Sequence, residues 1–255
     1  MVKFPHIRVP HATSTRRGGY SDGPYASLNL GRMSGDDLEV VERNRREFAR
    51  SIGFPIRQNL QMNHGVEVAH IQDPEDWERS WQADACITAH PMVSLSLTTA
   101  DCVPIFFHDP IKPAVGVAHA GWRGTVAGIA ARTVEAMVRN FASRPGDLLV
   151  GLGPAISQCC FEVSREVFDE FEREFGQEPG FAERAQARPE KEKWHIDLHW
   201  ANRIWLQRAG IDPSKILACE LCTSCTQEMF YSYRRDHGRT GRLLSAIALR
   251  EFSVS

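Results

Sequence analysis

The chain has 255 residues, of which 42% are hydrophobic and 24% are charged, and its formal net charge at pH 7 is −2. That length can bury a substantial core, whereas the near-neutral charge gives no overall attraction to nucleic acid or to an anionic membrane surface. No stretch approaches the roughly 18 uncharged apolar residues of a membrane helix, and the N-terminus lacks the apolar core of a signal peptide. We therefore expect a cytoplasmic protein with neither nucleic-acid nor membrane partners.

Helical patterns and short apolar runs alternate along the chain, with no repeat and no linker between halves. Caps, glycine stops and periodicity define the predicted elements; the first helix, for example, has Asp36 or Asp37 as its N-cap and ends at Gly53. In chain order we predict a helix over 36–53, a strand over 97–107, a strand over 114–119, a helix over 125–141, a strand over 148–153, a helix after Ser164, a mobile polar loop over 183–193, and a helix from Asp197 to Gly210. This alternation predicts one domain over residues 1–255, of the α/β class with a mixed α+β sheet and flanking helices.

The run LTTADCVPIFF, residues 97–107, places Asp101 and Cys102 inside an apolar stretch that predicts a buried strand. If the strand continues through both residues, their side chains point to opposite faces, which favours a structural role for Asp101 over that of a general base. Cys102 together with His64 and His119 offers two imidazoles and a thiolate, a set that suits Zn²⁺ and leaves one position for water or substrate. A buried structural cysteine with unrelated histidines, or a Cys102 nucleophile with His119 as its base, remains open.

The motif HAGWRGT, residues 119–125, follows a predicted strand and precedes a predicted helix. It predicts an anion-binding turn in which Thr125 caps the helix and Arg123 binds an oxyanion such as phosphate in bidentate fashion. A tight connection with a solvated Arg123 is the alternative.

The seven cysteines form neither an even set nor a dense framework, and two of them, Cys159 and Cys160, are adjacent. This usage fits a reducing compartment better than a disulfide scaffold, so we expect thiols that are free or metal-bound. The run CELCTSC places Cys219, Cys222 and Cys225 at a spacing that occurs in metal and iron–sulfur sites. No fourth ligand follows at a typical distance, which favours a structural role over a second metal site.

Five motifs resemble, in the same order, those of the YfiH or laccase-domain family of bacterial polyphenol oxidases and purine nucleoside phosphorylases. They run from about Thr15 to Arg242 and are TRRGGYSDGPYASLNLG, TADC, HAGWRGT, GPAISQCCFEV and SYRRDHGRTGR. The resemblance implies a single α/β domain and a zinc ion on His64, Cys102 and His119. It also implies phosphorolysis of adenosine, inosine, guanosine and methylthioadenosine, with adenosine deamination as a second activity, and Cu²⁺ as the alternative metal of a phenol oxidase.

From the motifs and the resemblance together we expect purine nucleoside and phosphate as the partners of a monomer or homodimer. The expected catalytic residues are Cys102, His119 and Arg123, and the expected substrate contacts are Arg16, Asn29, Asp101, Arg234 and Arg242. The family usually has Gln-Val before its first histidine ligand, where this chain has Met62-Asn63. The glutamine contribution is therefore lost, moved to Gln61 or replaced by Asn63.

Two other functions stay open alongside the phosphorylase. A copper-dependent polyphenol oxidase of the multicopper type would need paired His-x-His motifs, and none of the ten histidines forms one. A metal-free Cys–His hydrolase or deamidase that uses Cys102 and His119 is chemically coherent, and the family fold resembles that of toxin deamidases. Metal analysis separates that hydrolase from a zinc enzyme.

Overall fold

A computed structural model of the protein describes residues 1–56, 60–188 and 192–250. The strands are β1 His11–Thr13, β2 Val68–His70, β3 Ala85–Thr88, β4 Ser94–Thr99, β5 Val103–Asp109, β6 Ala114–Ala120, β7 Leu149–Leu152, β8 Glu162–Val163, β9 Ala185–Arg188, β10 Lys193–Ile196, β11 Ile216–Ala218 and β12 Leu243–Ala248. The helices are α1 Leu38–Ile52, α2 Trp122–Val126, α3 Ile129–Phe141, α4 Arg165–Phe175, α5 Phe181–Arg184 and α6 Leu198–Arg208. None of the described helices is long and apolar enough to cross a membrane.

The strands form a six-stranded sheet and two three-stranded sheets within the described ranges. The six-stranded sheet has the order β11-β7-β5-β6-β3-β2 and mixes parallel with antiparallel pairs. The sheet β1-β12-β4 is antiparallel, as is the small sheet β8-β10-β9. The predicted mixed α/β class is confirmed.

The central strands β5 and β6 are buried at every position because both faces of their sheet are covered. Ile105 and Phe107 belong to a core shared with the helices α3, α4 and α6. Phe106 points to the opposite face and shares a second core with Leu97 and Ile247 of the sheet β1-β12-β4. Successive side chains of β5 thus pack against the helices on one face of the sheet and against the second sheet on the other.

Helix α1 covers the outer face of the sheet β1-β12-β4. Its apolar stripe, which includes Phe48 and Ile52, packs against Leu244 and Ala246 of β12. The helix begins at the N-cap Asp37, whose carboxylate accepts hydrogen bonds from two backbone N–H groups of the first turn, and ends at Gly53 in the left-handed conformation with φ 80°. The layers therefore run helix, sheet, sheet, helices.

The predicted strand over 97–107 is wrong, because two strands occupy this run. Strand β4 ends at Thr99 and pairs with β12, whereas β5 begins at Val103 and pairs with β6 and β7 in the other sheet. Asp101, with φ 91°, takes the left-handed conformation that turns the chain between the two layers. Asp101 and Cys102 therefore lie in an irregular crossover, and the strand rule of opposite faces does not apply to them.

Two further predictions also differ from the structure. The helix predicted over 125–141 is two helices, because Gly128 breaks it with φ 84° between α2 and α3. The predicted mobile loop over 183–193 contains the end of α5 and strand β9, while its residues 189–191 lie outside the described part. Strand β9 pairs with β10, where the ring of Trp194 stacks on Phe168 at 5.0 Å between centroids. The charge pattern of residues 183–193 gives no indication of this aromatic contact, because Phe168 and Trp194 both lie outside that run.

Substitution of the α1 cap tests this account of the helix start. We expect Asp37→Ala to lower the free energy of unfolding by about 1 kcal/mol, because it leaves the N–H groups of Glu39 and Val40 without their acceptor. The control Asp37→Asn keeps an acceptor oxygen and should retain most of the stability. Urea denaturation of the three proteins measures the difference, and equal stability of Asp37→Ala and the parent would contradict the assigned cap.

Candidate active site

Three segments that are distant in sequence meet at one end of β5 and β6. Cys102 immediately precedes β5, and His119 lies in β6, where it is the register partner of Pro104. His64 lies on the loop before β2 and has φ 63°, in the left-handed region. One ligand atom from each of the three residues lies within 4.8 Å of the others. The structure thus brings together the three predicted metal ligands.

The buried carboxylate of Asp84, directly before β3, holds two of these ligands in place. Its Oδ1 lies 2.8 Å from Nδ1 of His119 and accepts the backbone N–H of His64 at 3.0 Å. Its Oδ2 accepts the N–H groups of Gly65 at 2.8 Å and Asn63 at 3.1 Å. The pKa of Asp84 is lowered despite its burial, because of the hydrogen bonds from His119 and Gly65. Nδ1 of His119 therefore carries the proton, and Nε2 is the nitrogen available for a ligand or a metal.

Sequence reasoning missed Asp84 altogether. The available signal was an aspartate directly before the apolar strand ACIT, at the end of a sheet where functional side chains collect. In the altered motif before His64, the side-chain oxygen of Asn63 accepts the N–H of Gly65 at 3.0 Å. Gln61 and Met62 both line the adjacent cavity.

The electrostatics of the group favour a thiolate at Cys102. Burial alone would raise the pKa of this thiol, but the neighbouring charge of His119 and hydrogen bonds from His119 and His64 lower it to about 6. Burial would lower the pKa of His119, yet the charges and hydrogen bonds of Cys102 and Asp84 raise it. A thiolate is the form of cysteine that binds metals or attacks electrophiles.

The geometry and the donor set both fit a metal ion. Two imidazoles and one thiolate are a ligand set that catalytic zinc uses, with the fourth position left for water or substrate. Gly121 keeps room between the donors, because a Cβ at that position would lie 2.6 Å from Nδ1 of His64 and 3.2 Å from Sγ of Cys102. A side chain there would occupy the space that an ion needs.

The three residues open on a cavity of about 1020 Å³, which is large enough for a nucleoside. Its wall combines apolar and aromatic side chains with three arginines. The apolar and aromatic members include Met33, Met62, Ile156, Phe161 and Tyr233. The arginines are Arg32, Arg234 and Arg242.

Asp101 also borders this cavity, but its carboxylate is already bonded on several sides. It accepts hydrogen bonds from the hydroxyls of Thr223 at 2.6 Å and Ser232 at 3.0 Å, and from the backbone N–H of Arg234 at 2.7 Å. Asp101 therefore positions the segment that carries Arg234, whereas the substrate contact expected of Asp101 stays a prediction.

Asn29 lies behind the cavity wall and is fully buried. Its side-chain oxygen accepts the N–H groups of Gly31 and Arg242, two residues that do line the cavity. Its side-chain nitrogen donates to Ser34 and Asp36. Asn29 therefore supports two wall residues, and its expected contact with substrate stays a prediction.

Arg16 and Arg123 are not among the residues that line the cavity. The guanidinium of Arg16 donates to the carbonyls of Ala26 and Gln227 and lies 4.7 Å from the ring centroid of Tyr231. Arg123 is exposed and its guanidinium lies 4.3 Å from the ring centroid of Trp122. The solvated alternative therefore describes Arg123 in this structure.

The predicted cap at Thr125 is wrong. The helix α2 begins after Gly121, and Thr125 lies buried inside it. The hydroxyl of Thr125 accepts a hydrogen bond from the side chain of Asn202. Its contact is therefore with α6 rather than with the start of its own helix.

Comparison with known proteins gives one family and close relatives. Residues 10–250 match the family described as multi-copper polyphenol oxidoreductase laccase. A protein of Deinococcus radiodurans named purine nucleoside phosphorylase is 41% identical over 98% of this chain and 92% of its own length. The purine nucleoside phosphorylase YlmD of Geobacillus stearothermophilus is 37% identical over 93% of this chain and 89% of its own length. The crystal structure of YlmD from that organism superimposes with a TM-score of 0.87 and covers 97% of this chain and 94% of that one.

We expect Asp84→Asn to weaken binding of a divalent metal by about 10- to 100-fold, because an amide cannot accept from all four donors that the carboxylate now serves. The affinity is measured by zinc competition with a chromophoric chelator. The control Asp109→Asn changes a fully buried aspartate at the far end of β5, away from the three ligands, and should leave the zinc affinity unchanged. An unchanged zinc affinity in Asp84→Asn would contradict the role given to this carboxylate.

Proposed function

This chain belongs to the family described as multi-copper polyphenol oxidoreductase laccase, and from that premise we propose that it is a zinc-dependent purine nucleoside phosphorylase. The observation that carries the proposal is a two-histidine, one-cysteine group opening on a cavity whose wall has both aromatic and arginine side chains. Phosphorylase is also the activity in the names of the relatives compared above. The substrates we propose are adenosine, inosine, guanosine and methylthioadenosine, with phosphate.

His64, Cys102 and His119 would hold the ion. When bound there, zinc supplies a Lewis acid that polarises and orients a substrate oxygen. Asp84 keeps the ring of His119 and the backbone of His64 in position for that contact. The donor set has a single thiolate and two imidazoles, which suits zinc as well as copper.

The reaction is a substitution at the ribose C1′. A phosphate oxygen forms a bond to C1′ while the bond from C1′ to N9 breaks, and the electron pair leaves with the purine, which then takes up a proton. The protein must therefore hold an anion on one side of C1′ and the base on the other.

Arg234 and Arg242 are the phosphate ligands we propose in place of Arg123. Each guanidinium is anchored by a backbone carbonyl, that of Glu162 for Arg234 and that of Thr240 for Arg242, and each retains further N–H donors. One guanidinium group can donate two parallel N–H bonds to two oxygens of the same phosphate. Phe161 and Tyr233 lie beside these arginines, within 5.5 and 5.6 Å of the guanidinium carbons, and offer faces on which a purine can stack.

Adenosine deamination is the second activity that we propose for the same cavity. Water adds at C6 of adenine and ammonia leaves, so the products are inosine and ammonia. This reaction leaves the glycosidic bond intact and needs no phosphate. Its rate is therefore measured separately, as inosine formed without phosphate.

A metal-free Cys–His hydrolase is the second candidate, and one observation favours it specifically. Cys102, His119 and Asp84 form the series of nucleophile, base and orienting carboxylate that such enzymes use. A multicopper oxidase has less support, because the described residues place no second histidine-containing ligand group beside the first.

Metal analysis combined with nucleoside assays tests the proposal. We expect zinc rather than copper in the isolated protein, and release of adenine or hypoxanthine that depends on added phosphate. Both Cys102→Ala and His119→Ala should lose this zinc and reduce phosphorolysis to background. The control Cys86→Ala removes a buried thiol of β3 that belongs to neither group of candidate ligands and should keep both zinc and activity.

Two results would overturn the phosphorylase. Full zinc and full turnover in Cys102→Ala would exclude the proposed centre. Hydrolysis by metal-free protein, with Cys102 captured as a covalent adduct, would instead establish the Cys–His hydrolase.

A further inference from the structure

A second group of sulfur donors lies outside the site described above. The Sγ atoms of Cys159, Cys160, Cys222 and Cys225 all lie within 4.8 Å of one another. Cys225 Sγ is 3.3 Å from that of Cys160 and 3.6 Å from that of Cys159. We refer to these four residues as the cysteine cluster.

The sheet explains why residues so distant in sequence meet here. Strands β7 and β11 are parallel neighbours, with Leu152 paired to Ala218 at their ends. The chain after β7 carries the vicinal pair Cys159–Cys160, and the chain after β11 carries Cys222 and Cys225. Because parallel strands end at the same edge of a sheet, both loops leave side by side.

The backbone holds the two loops together around Cys222. Thr223 donates its N–H to the carbonyl of Ala155, and Ser157 donates its N–H to Sγ of Cys222 at 3.4 Å. Both bonds hold the loop after β7 against the loop after β11, so the sulfurs of the two loops stay close together.

We propose that the cysteine cluster binds one zinc ion through four thiolates, as a structural site separate from the catalytic centre. Zinc–sulfur bonds of about 2.3 Å in a tetrahedron put the sulfurs about 3.8 Å apart, close to the observed separations. A disulfide needs about 2.05 Å, which is far shorter than the observed contacts. A four-iron cluster holds each cysteine on a different iron, so its sulfurs lie further apart than those around one ion.

The site has four protein ligands and no open position, so it would fasten loops rather than catalyse a reaction. The loops it joins belong to the cavity wall. Ile156 and Phe161 flank the vicinal pair and line the cavity, while Thr223 donates its hydroxyl to Asp101. Zinc at the cysteine cluster would therefore fix the wall next to Cys102.

Zinc content per chain tests the proposal. Parent and variant are purified anaerobically with a phosphine reductant. The double variant Cys222→Ser/Cys225→Ser should then contain one zinc per chain less than the parent. Cys225→Ser alone, at an exposed position that folding tolerates, should show the same loss under competition with a chelator. The matched control Cys219→Ser changes the other cysteine of the CELCTSC run, which lies outside the cluster, and should lose none.

This comparison does not depend on the catalytic centre. Cys102→Ala should keep the cluster zinc, and the loss of one ion in the double variant is expected whether or not the His64 site binds metal. Alkylation mapped by mass spectrometry gives a second measurement, because zinc should protect the exposed Cys159 and Cys225 until a chelator is added.

Three results would overturn the cluster site. The first is an unchanged zinc content in the double variant. The second is ready alkylation of Cys159 and Cys225 without chelator. The third is a disulfide within the cluster in the reduced anaerobic protein.

Discussion

The buried carboxylate of Asp84 is the group on which the arrangement of His64 and His119 depends. A charge without hydrogen-bond partners is costly to bury, and here the ring of His119 and three successive backbone N–H groups compensate that cost. The same bonds keep His64 in a left-handed conformation that a residue other than glycine rarely adopts. One aspartate thus fixes one imidazole through its ring and the other through its backbone.

A second buried carboxylate organises the opposite side of the cavity. Asp101 lies in the crossover between the two stacked sheets and accepts donors from Thr223, Ser232 and Arg234, all more than 120 residues later in the chain. The thiolate of Cys102 is its immediate neighbour. The crossover therefore connects Cys102, the proposed metal ligand, to the loops that carry the arginine and aromatic wall, so a single turn joins the two halves of the candidate site.

The elements that depend only on neighbouring residues could be predicted from the sequence. The cap and glycine stop of α1 follow from residues within one turn of each end. His64, Cys102 and His119 are distant in sequence, and only their ligand chemistry and the family resemblance grouped them as one set. The roles of Asn29 and Arg16 were not predictable, because both depend on backbone groups far along the chain. No fourth cysteine follows CELCTSC at a typical ligand spacing, whereas Cys159 lies 66 residues before Cys225 and is brought close to it by the parallel pairing of β7 and β11.

Gly121 shows how a position can matter through what it lacks. It supplies no donor, charge or nucleophile, yet any larger residue would put atoms among the donors of His64 and Cys102. Every substitution at this position adds at least a Cβ, so we expect it to tolerate replacement as poorly as the candidate ligands beside it. A ranking of residues by chemical reactivity would not select Gly121. A variant at this position would nevertheless disturb the site while the side chains of His64, Cys102 and His119 are all still present.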